Sequence, residues 1–214
     1  MWWLFITGAM AEPNWNALKK VSDWQPYKQV TRKGIGQISV FITKISNLPC
    51  FKGEASTAGV SANTLLEIAV DPESAVDWSS ANVVQAKTLA KNGSTIDYFQ
   101  FLDVPIFSDR FWFLRGYIDQ DDNGVWFHWD RLENGGPHKE FYNQIKESNK
   151  GAVEPPVNVG GWNFKQDGQT LQIRYFICTH PGGSVPKGMQ SIGTGKTLPN
   201  NLEDIYKEGI RREQ

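Results

Sequence analysis

The sequence predicts an α+β chain organised around an antiparallel sheet. Three observations carry that expectation. Residues 96–131 divide into three stretches rich in aromatic residues, 96–102, 110–118 and 125–131, set apart by Pro105 and by Asp121-Asp122-Asn123-Gly124. Residues 36–45 and 170–179 alternate apolar and polar positions with the period of a strand. Near both ends, over 14–27 and 199–212, apolar residues recur at helical spacing.

Composition bounds the class. The 214 residues, with 40% hydrophobic content and a mean hydropathy of −0.43, fit one folded domain over 12–214. Nine tryptophans favour a sheet-rich protein with a large aromatic core or pocket. The 22 basic and 23 acidic residues leave a net charge of −1 without a basic stripe or polybasic block, so no nucleic-acid partner is expected. No apolar run approaches the roughly 18 residues of a membrane-spanning helix. Cys50 and Cys178 are too few for a disulfide scaffold or a thiolate zinc site; one bridge and two buried free thiols both stay open.

Taken in order, the chain opens on 1–11, an apolar run ending in Ala9-Met10-Ala11, which matches the small-x-small rule of export-signal cleavage but lacks a positive leading segment. An export signal there implies a periplasmic or secreted protein; an ordinary extension implies a cytoplasmic one. Asn14 caps an expected helix in which Trp15, Leu18, Val21 and Trp24 fall three apart, and Pro26 limits it. Residues 36–45 form a strand, Asn47-Leu48-Pro49 turns, and 50–60 returns as its hairpin partner. Ser61 caps a helix over 62–70 with Leu65, Leu66 and Ala69 inward, and Trp78 follows in a loop or short helical turn. Residues 81–90 gain a strand reading from the Asn92-Gly93 turn that leads into Ile96. Beyond Gly135-Gly136-Pro137, residues 138–147 read either as a short helix or as a polar loop. A strand over 157–165, with a bulge at Gly160-Gly161, turns at Gln166-Asp167-Gly168 into the strand 170–179. The chain closes with helix over 186–192, an interruption at Gly193-Thr194-Gly195, and helix over 199–212.

In the central strands both faces carry rings, which implies that something apolar covers each. One polar set interrupts them. Asp97 shares a face with Phe99 and Phe101, and Arg115 shares one with Phe111 and Phe113. Among phenyl rings, an acid and a guanidinium make either a structural ion pair or the polar anchor of a small-molecule pocket.

Other apparent motifs carry less. Gly193-Thr194-Gly195-Lys196-Thr197 imitates the end of a phosphate loop, but Gln190 stands where the loop needs glycine and no strand leads in. His128, His138 and His180 lack metal-ligand spacing, and no Gly-x-Ser-x-Gly elbow occurs. No cofactor is expected.

At the end of the last strand stands His180-Pro181-Gly182-Gly183-Ser184-Val185-Pro186, and Ser108-Asp109-Arg110-Phe111-Trp112-Phe113-Leu114-Arg115 opens a central one. With the order of elements over 24–212, these runs resemble the START lipid-transfer domain family, whose strand begins with a Pro-Arg-Asp-Phe-like run and whose last strand leaves through Asp-Pro-Gly-Gly-x-Ile-Pro. The resemblance implies a helix-grip fold, in which a curved antiparallel sheet wraps the C-terminal helix around a tunnel for one lipid. It also implies that Arg115 points into that tunnel with Asp97 as its partner. Phe99, Phe101, Phe111, Phe113 and Tyr117 then line the tunnel, and Met189 and Ile192 close it from the helix. This sequence departs from the family in the inverted Asp109-Arg110, in His180 before Pro-Gly-Gly, in Asn158, and in Gly193 and Gly195, which suggest a hinge in the last helix.

The expected function is non-catalytic binding and transfer of a lipid, sterol or fatty-acid-like ligand by a monomer that touches membranes transiently. The alternative is a polyketide-cyclase-like enzyme of the same superfamily using Asp97 and Asp130 as acid and base. A third reading is an interaction domain with a collapsed cavity and the ring-rich outer sheet face as its interface.

Overall fold

Strand pairing sets the architecture. A computed structural model describes residues 13–183 and 187–214, with side chains throughout those ranges except at 187–193. Its strands are β1 (Gln25–Arg32), β2 (Gly36–Ile45), β3 (Leu48–Thr57), β4 (Val83–Asn92), β5 (Thr95–Leu102), β6 (Arg110–Asp121), β7 (Gly124–Arg131), β8 (Val157–Asp167) and β9 (Thr170–His180). They form one curved antiparallel sheet in the order β1-β2-β3-β9-β8-β7-β6-β5-β4. The helices are α1 (Trp15–Lys19), α2 (Ala62–Ala69), α3 (Ala75–Trp78), α4 (Lys139–Ser148) and α5 (Lys187–Arg212), with a short 3-10 segment at Glu133–His138 before α4. The expected α+β class and helix-grip arrangement are present. The 1–11 stretch lies outside the described residues.

Several boundaries differ from the sequence expectation. The first helix is only Trp15–Lys19, capped by Asn14 Oδ1 accepting from the Ala17 amide. Trp24 continues the apolar spacing without helix, because its ring packs on Phe176 of the sheet. Strand β1, an edge strand with mostly exposed side chains, had no apolar alternation to announce it. The β2–β3 hairpin turns at Ser46 and Asn47, both left-handed (φ 50° and 65°), so Leu48 and Pro49 already belong to β3. In α2, Leu65 and Ile68 are the fully buried pair, while Leu66 and Ala69 pack from its edges.

The expected bulge at Gly160-Gly161 is absent, since both ladders of β8 run through it in unbroken register. These glycines make room for rings instead. A Cβ on Gly160 would lie 2.7 Å from Trp129, and one on Gly161 2.7 Å from Trp15, on opposite faces of the strand.

Nor is the last helix interrupted. Residues 187–212 form one helix through Gly193, Gly195 and Pro199. Gly195 lets the helix approach the sheet: a Cβ there would meet Tyr27 at 2.6 Å and Phe51 at 3.0 Å. Gly53 on β3 gives the matching clearance to Leu198 and Leu202. Burial of Leu198, Leu202 and Ile205 contributes about 1.5–3 kcal/mol each, which outweighs the propensity cost of the glycines.

Helix α5 and α2 thus cover the inner face of the sheet. Two satellite clusters cover the outer face. Trp15 and Leu18 of α1 pack on Trp126, Val159 and Phe176 and on the Cys50–Cys178 disulfide, which joins directly paired positions of β3 and β9. Under α4 lie Phe99, Phe101, Phe111 and Phe113 with Tyr142 and Ile145. The segment left open between helix and loop is therefore helix, and it caps an aromatic face.

Candidate functional site

The inner face of β5 and β6 presents Tyr98, Gln100 and Leu102 opposite Leu114, Trp112 and Arg110 in register. These residues form one wall of a cavity of about 620 Å³ between the sheet and α5. Phe127, Trp129, Trp162, Tyr175 and Ile177 form the floor on β7, β8 and β9. Leu198 and Asn201 of α5 close it from above, and the 103–107 loop and Trp78 stand at its edge. Alternation explains the wall: once α4 claims the odd positions of β5 and β6, the even ones face the cavity.

That parity corrects the expected ligand set. Asp97, Phe99, Phe101, Phe111, Phe113 and Arg115 share a face, as the sequence implied, but it is the outer face. Arg115 donates from Nε and Nη2 to the two carboxylate oxygens of Asp97 at 2.6 and 2.7 Å, and His138 Nε2 lies 2.8 Å from Asp97 Oδ2. Burial opposes ionisation of Asp97, but the hydrogen bonds from Arg115 and then His138 outweigh it and hold the carboxyl below its usual range. The Asp97 bond in turn raises Arg115. This is an ion pair of the outer face. Tyr117 is also outward, stacked on His128 with ring centres 5.2 Å apart. The side chains of Met189 and Ile192 lie outside the described residues.

Asp130, the other carboxylate considered for acid–base work, sits opposite Arg115 on the same outer face and accepts from the Trp15 amide at 3.1 Å. Burial raises its pKa. Neither Asp97 nor Asp130 lines the cavity.

The cavity is apolar with a few fixed polar groups. Trp129 Nε1 donates to Asn158 Oδ1 at 3.0 Å. Burial pushes the Tyr98 and Tyr175 hydroxyls well above the usual phenol range; for Tyr175 a hydrogen bond with Asn201 acts against it. At one end Arg110 is buried, and its guanidinium donates to the carbonyls of Ser108, Pro181 and Gly182. It thereby ties the start of β6 to the Pro-Gly-Gly turn after β9. No cluster of His, Cys, Asp and Glu able to hold a metal occurs among the described residues, and no described helix is long and apolar enough to cross a membrane.

Reasoning from sequence missed Gln100, Trp112, Leu114 and Tyr175. The one available signal was Gln100, a polar residue between Phe99 and Phe101 on the strand face opposite Asp97.

No family model and no curated protein sequence matches this chain. Solved structures do match it in fold. A STAR-related lipid transfer protein from Xanthomonas axonopodis superposes with a TM-score of 0.71 at 18% identity, covering 87% of this chain and 98% of that one. Human StAR-related lipid transfer protein 5 gives 0.71 at 11% identity, over 92% of this chain and 91% of that one. The Zhui aromatase/cyclase of a Streptomyces species gives 0.53 at 13% identity, over 77% and 96%.

Proposed function

From a START-type helix-grip fold, we propose that this protein binds one hydrophobic molecule of lipid class in its internal cavity and carries it without chemical change. The observation that carries the reading is the cavity of about 620 Å³ with aromatic walls, within the size range of small-molecule sites. Apolar burial supplies affinity at about 25 cal/mol per Å². Neighbours of the same fold named as lipid transfer proteins support this reading, and the aromatase/cyclase keeps an enzymatic alternative in view. Against the alternative stands the chemistry of the walls. A general acid or base works best with a pKa near the operating pH, whereas the buried titratable groups of the wall are two phenols pushed upward and the guanidinium of Arg110.

Loading needs a route, and we assign it to the 103–107 loop. Val104, Pro105 and Phe107 line the cavity edge, while Ile106 is 99% exposed at its tip with a left-handed backbone (φ 76°). An exposed branched apolar side chain beside the opening is suited to touch a bilayer surface during exchange.

The test is mass spectrometry of the purified protein, native and after organic extraction. A stoichiometric co-purified lipid supports the reading and names the ligand. A protein that emerges empty and binds no added lipid overturns it, and turnover of a hydrophobic substrate would favour the enzyme.

A further inference from the structure

Three polar side chains on the cavity wall have hydrogen-bonding capacity that the protein does not use. Gln100 lies directly opposite Trp112 across the β5–β6 ladder, and both are half-buried residues facing the cavity. Trp112 Nε1 is a buried donor without an acceptor. The Gln100 amide and the Tyr98 hydroxyl, two residues apart on the same strand face, have no hydrogen-bond partner among the described residues. A neighbouring polar group shows that satisfaction is available in this cavity: Trp129 Nε1 donates to Asn158 Oδ1. Polar groups on an otherwise apolar cavity wall fix a ligand's orientation, so the unpaired Gln100 amide and Tyr98 hydroxyl mark where its polar atom belongs.

These two groups carry no formal charge. Arg110, two residues from Trp112, holds the carbonyls of Ser108, Pro181 and Gly182 rather than opening its fork to the cavity. The same burial that raises both wall phenols disfavours any anion beside them. An amide and a hydroxyl together both donate to and accept from a hydroxyl, and they donate to a carbonyl.

Building on the lipid-binding reading above, we propose that Gln100 and Tyr98, beside the ring of Trp112, form a specificity-determining corner that takes an uncharged oxygen of the ligand, a hydroxyl or carbonyl, and discriminates against carboxylate- or phosphate-headed lipids. Apolar walls hold the body of the molecule, and this corner fixes which end enters first.

Three probes of one chain length test it: n-tetradecane, 1-tetradecanol and tetradecanoate, titrated at about pH 8, where the carboxylate is ionised. Intrinsic tryptophan emission reports occupancy, because Trp78, Trp112, Trp129 and Trp162 line the cavity. The expected result is that the alcohol binds about tenfold tighter than the alkane, with the carboxylate weakest. Gln100→Leu and Tyr98→Phe should each reduce the alcohol's advantage while leaving the alkane unchanged. Tyr98→Phe removes a single oxygen and keeps the ring, so it decides the matter if Gln100→Leu fails to fold. Tightest binding of the carboxylate, or equal losses for all probes in both variants, would overturn the corner and leave lipid binding standing. Failure of the wild-type protein to bind any probe would overturn the lipid reading itself, and this assignment with it.

Discussion

Arg115 grips both carboxylate oxygens of Asp97, at 2.6 and 2.7 Å, on the face of the sheet that turns away from the cavity. His138 holds the same carboxylate from the segment that leads into α4. The pair therefore fastens the cap over the outer phenylalanines, and neither residue lines the cavity. Arg115→Leu should lower unfolding stability by about 1–2 kcal/mol, the lower range for a buried carboxylate whose partner is over a third exposed. Ligand affinity should be unchanged. Urea unfolding and probe titration of one preparation check both, and lost affinity at unchanged stability would return Arg115 to the site.

Gly195 separates a hinge from a close contact. In a hinge, Gly195→Ala stiffens the helix and gains up to about 1 kcal/mol from propensity. With Tyr27 at 2.6 Å and Phe51 at 3.0 Å from the new methyl, overpacking should cost about 1–3 kcal/mol and dominate. A lowered denaturation midpoint is the expected outcome.

His128 makes stability depend on pH. Its ring lies between Trp15, with centres 4.6 Å apart and planes 6° apart, and Tyr117, while Nδ1 is buried without a partner. Burial lowers its pKa below 6.5, outweighing the hydrogen bond with Asp119 and the charge of Asp130, with Lys19 acting in the same direction as burial. The unfolded chain then binds the proton more readily, so this contribution is present above about pH 6.5 and is lost as pH falls through the folded value. Asp130, with its raised pKa, acts with the opposite sign in a more acidic window. Unfolding midpoints between about pH 7.5 and 5 should fall in the wild type. They should fall less steeply in His128→Gln.

Disulfide removal should be costly. Cys50 and Cys178 close a loop of 128 residues, for which chain entropy predicts about 4–5 kcal/mol. Cys50→Ala with Cys178→Ala should lower the denaturation midpoint accordingly. Unreduced wild-type protein should offer no reactive thiol even when unfolded.

The difference between the expected and observed sites has a local cause. Alternation in 96–102 and 110–118 correctly grouped Asp97, Phe99 and Phe101 with Phe111, Phe113 and Arg115, but grouping does not say which face is inward. That choice rests with α4, whose Tyr142 and Ile145 cover the odd face from more than twenty residues downstream and whose sequence reads almost as well as a polar loop. In the same way, Gly193 and Gly195 signal a break by propensity alone, and only contact with Tyr27 and Phe51 shows why glycine is needed at 195. Strand β2 was legible to the residue, because one face of it is buried and its pattern is clean. Its neighbour β1 was not, because an exposed edge strand has no such pattern.

The seam between β3 and β9 also bears on how the chain is made. Strands β1 to β3 can pair as soon as they leave the ribosome, but β3 then waits for a neighbour 128 residues away. At about 5–20 residues per second, that leaves an open strand edge for roughly 6–25 s of synthesis. During that interval the apolar inner row of Phe51, Gly53 and Ala55 lies beside unpaired backbone, without α5 to cover it. The nascent chain is therefore most vulnerable to intermolecular strand pairing before its last hairpin emerges, and a chaperone that shields strand edges would act on this protein early and then be dispensable.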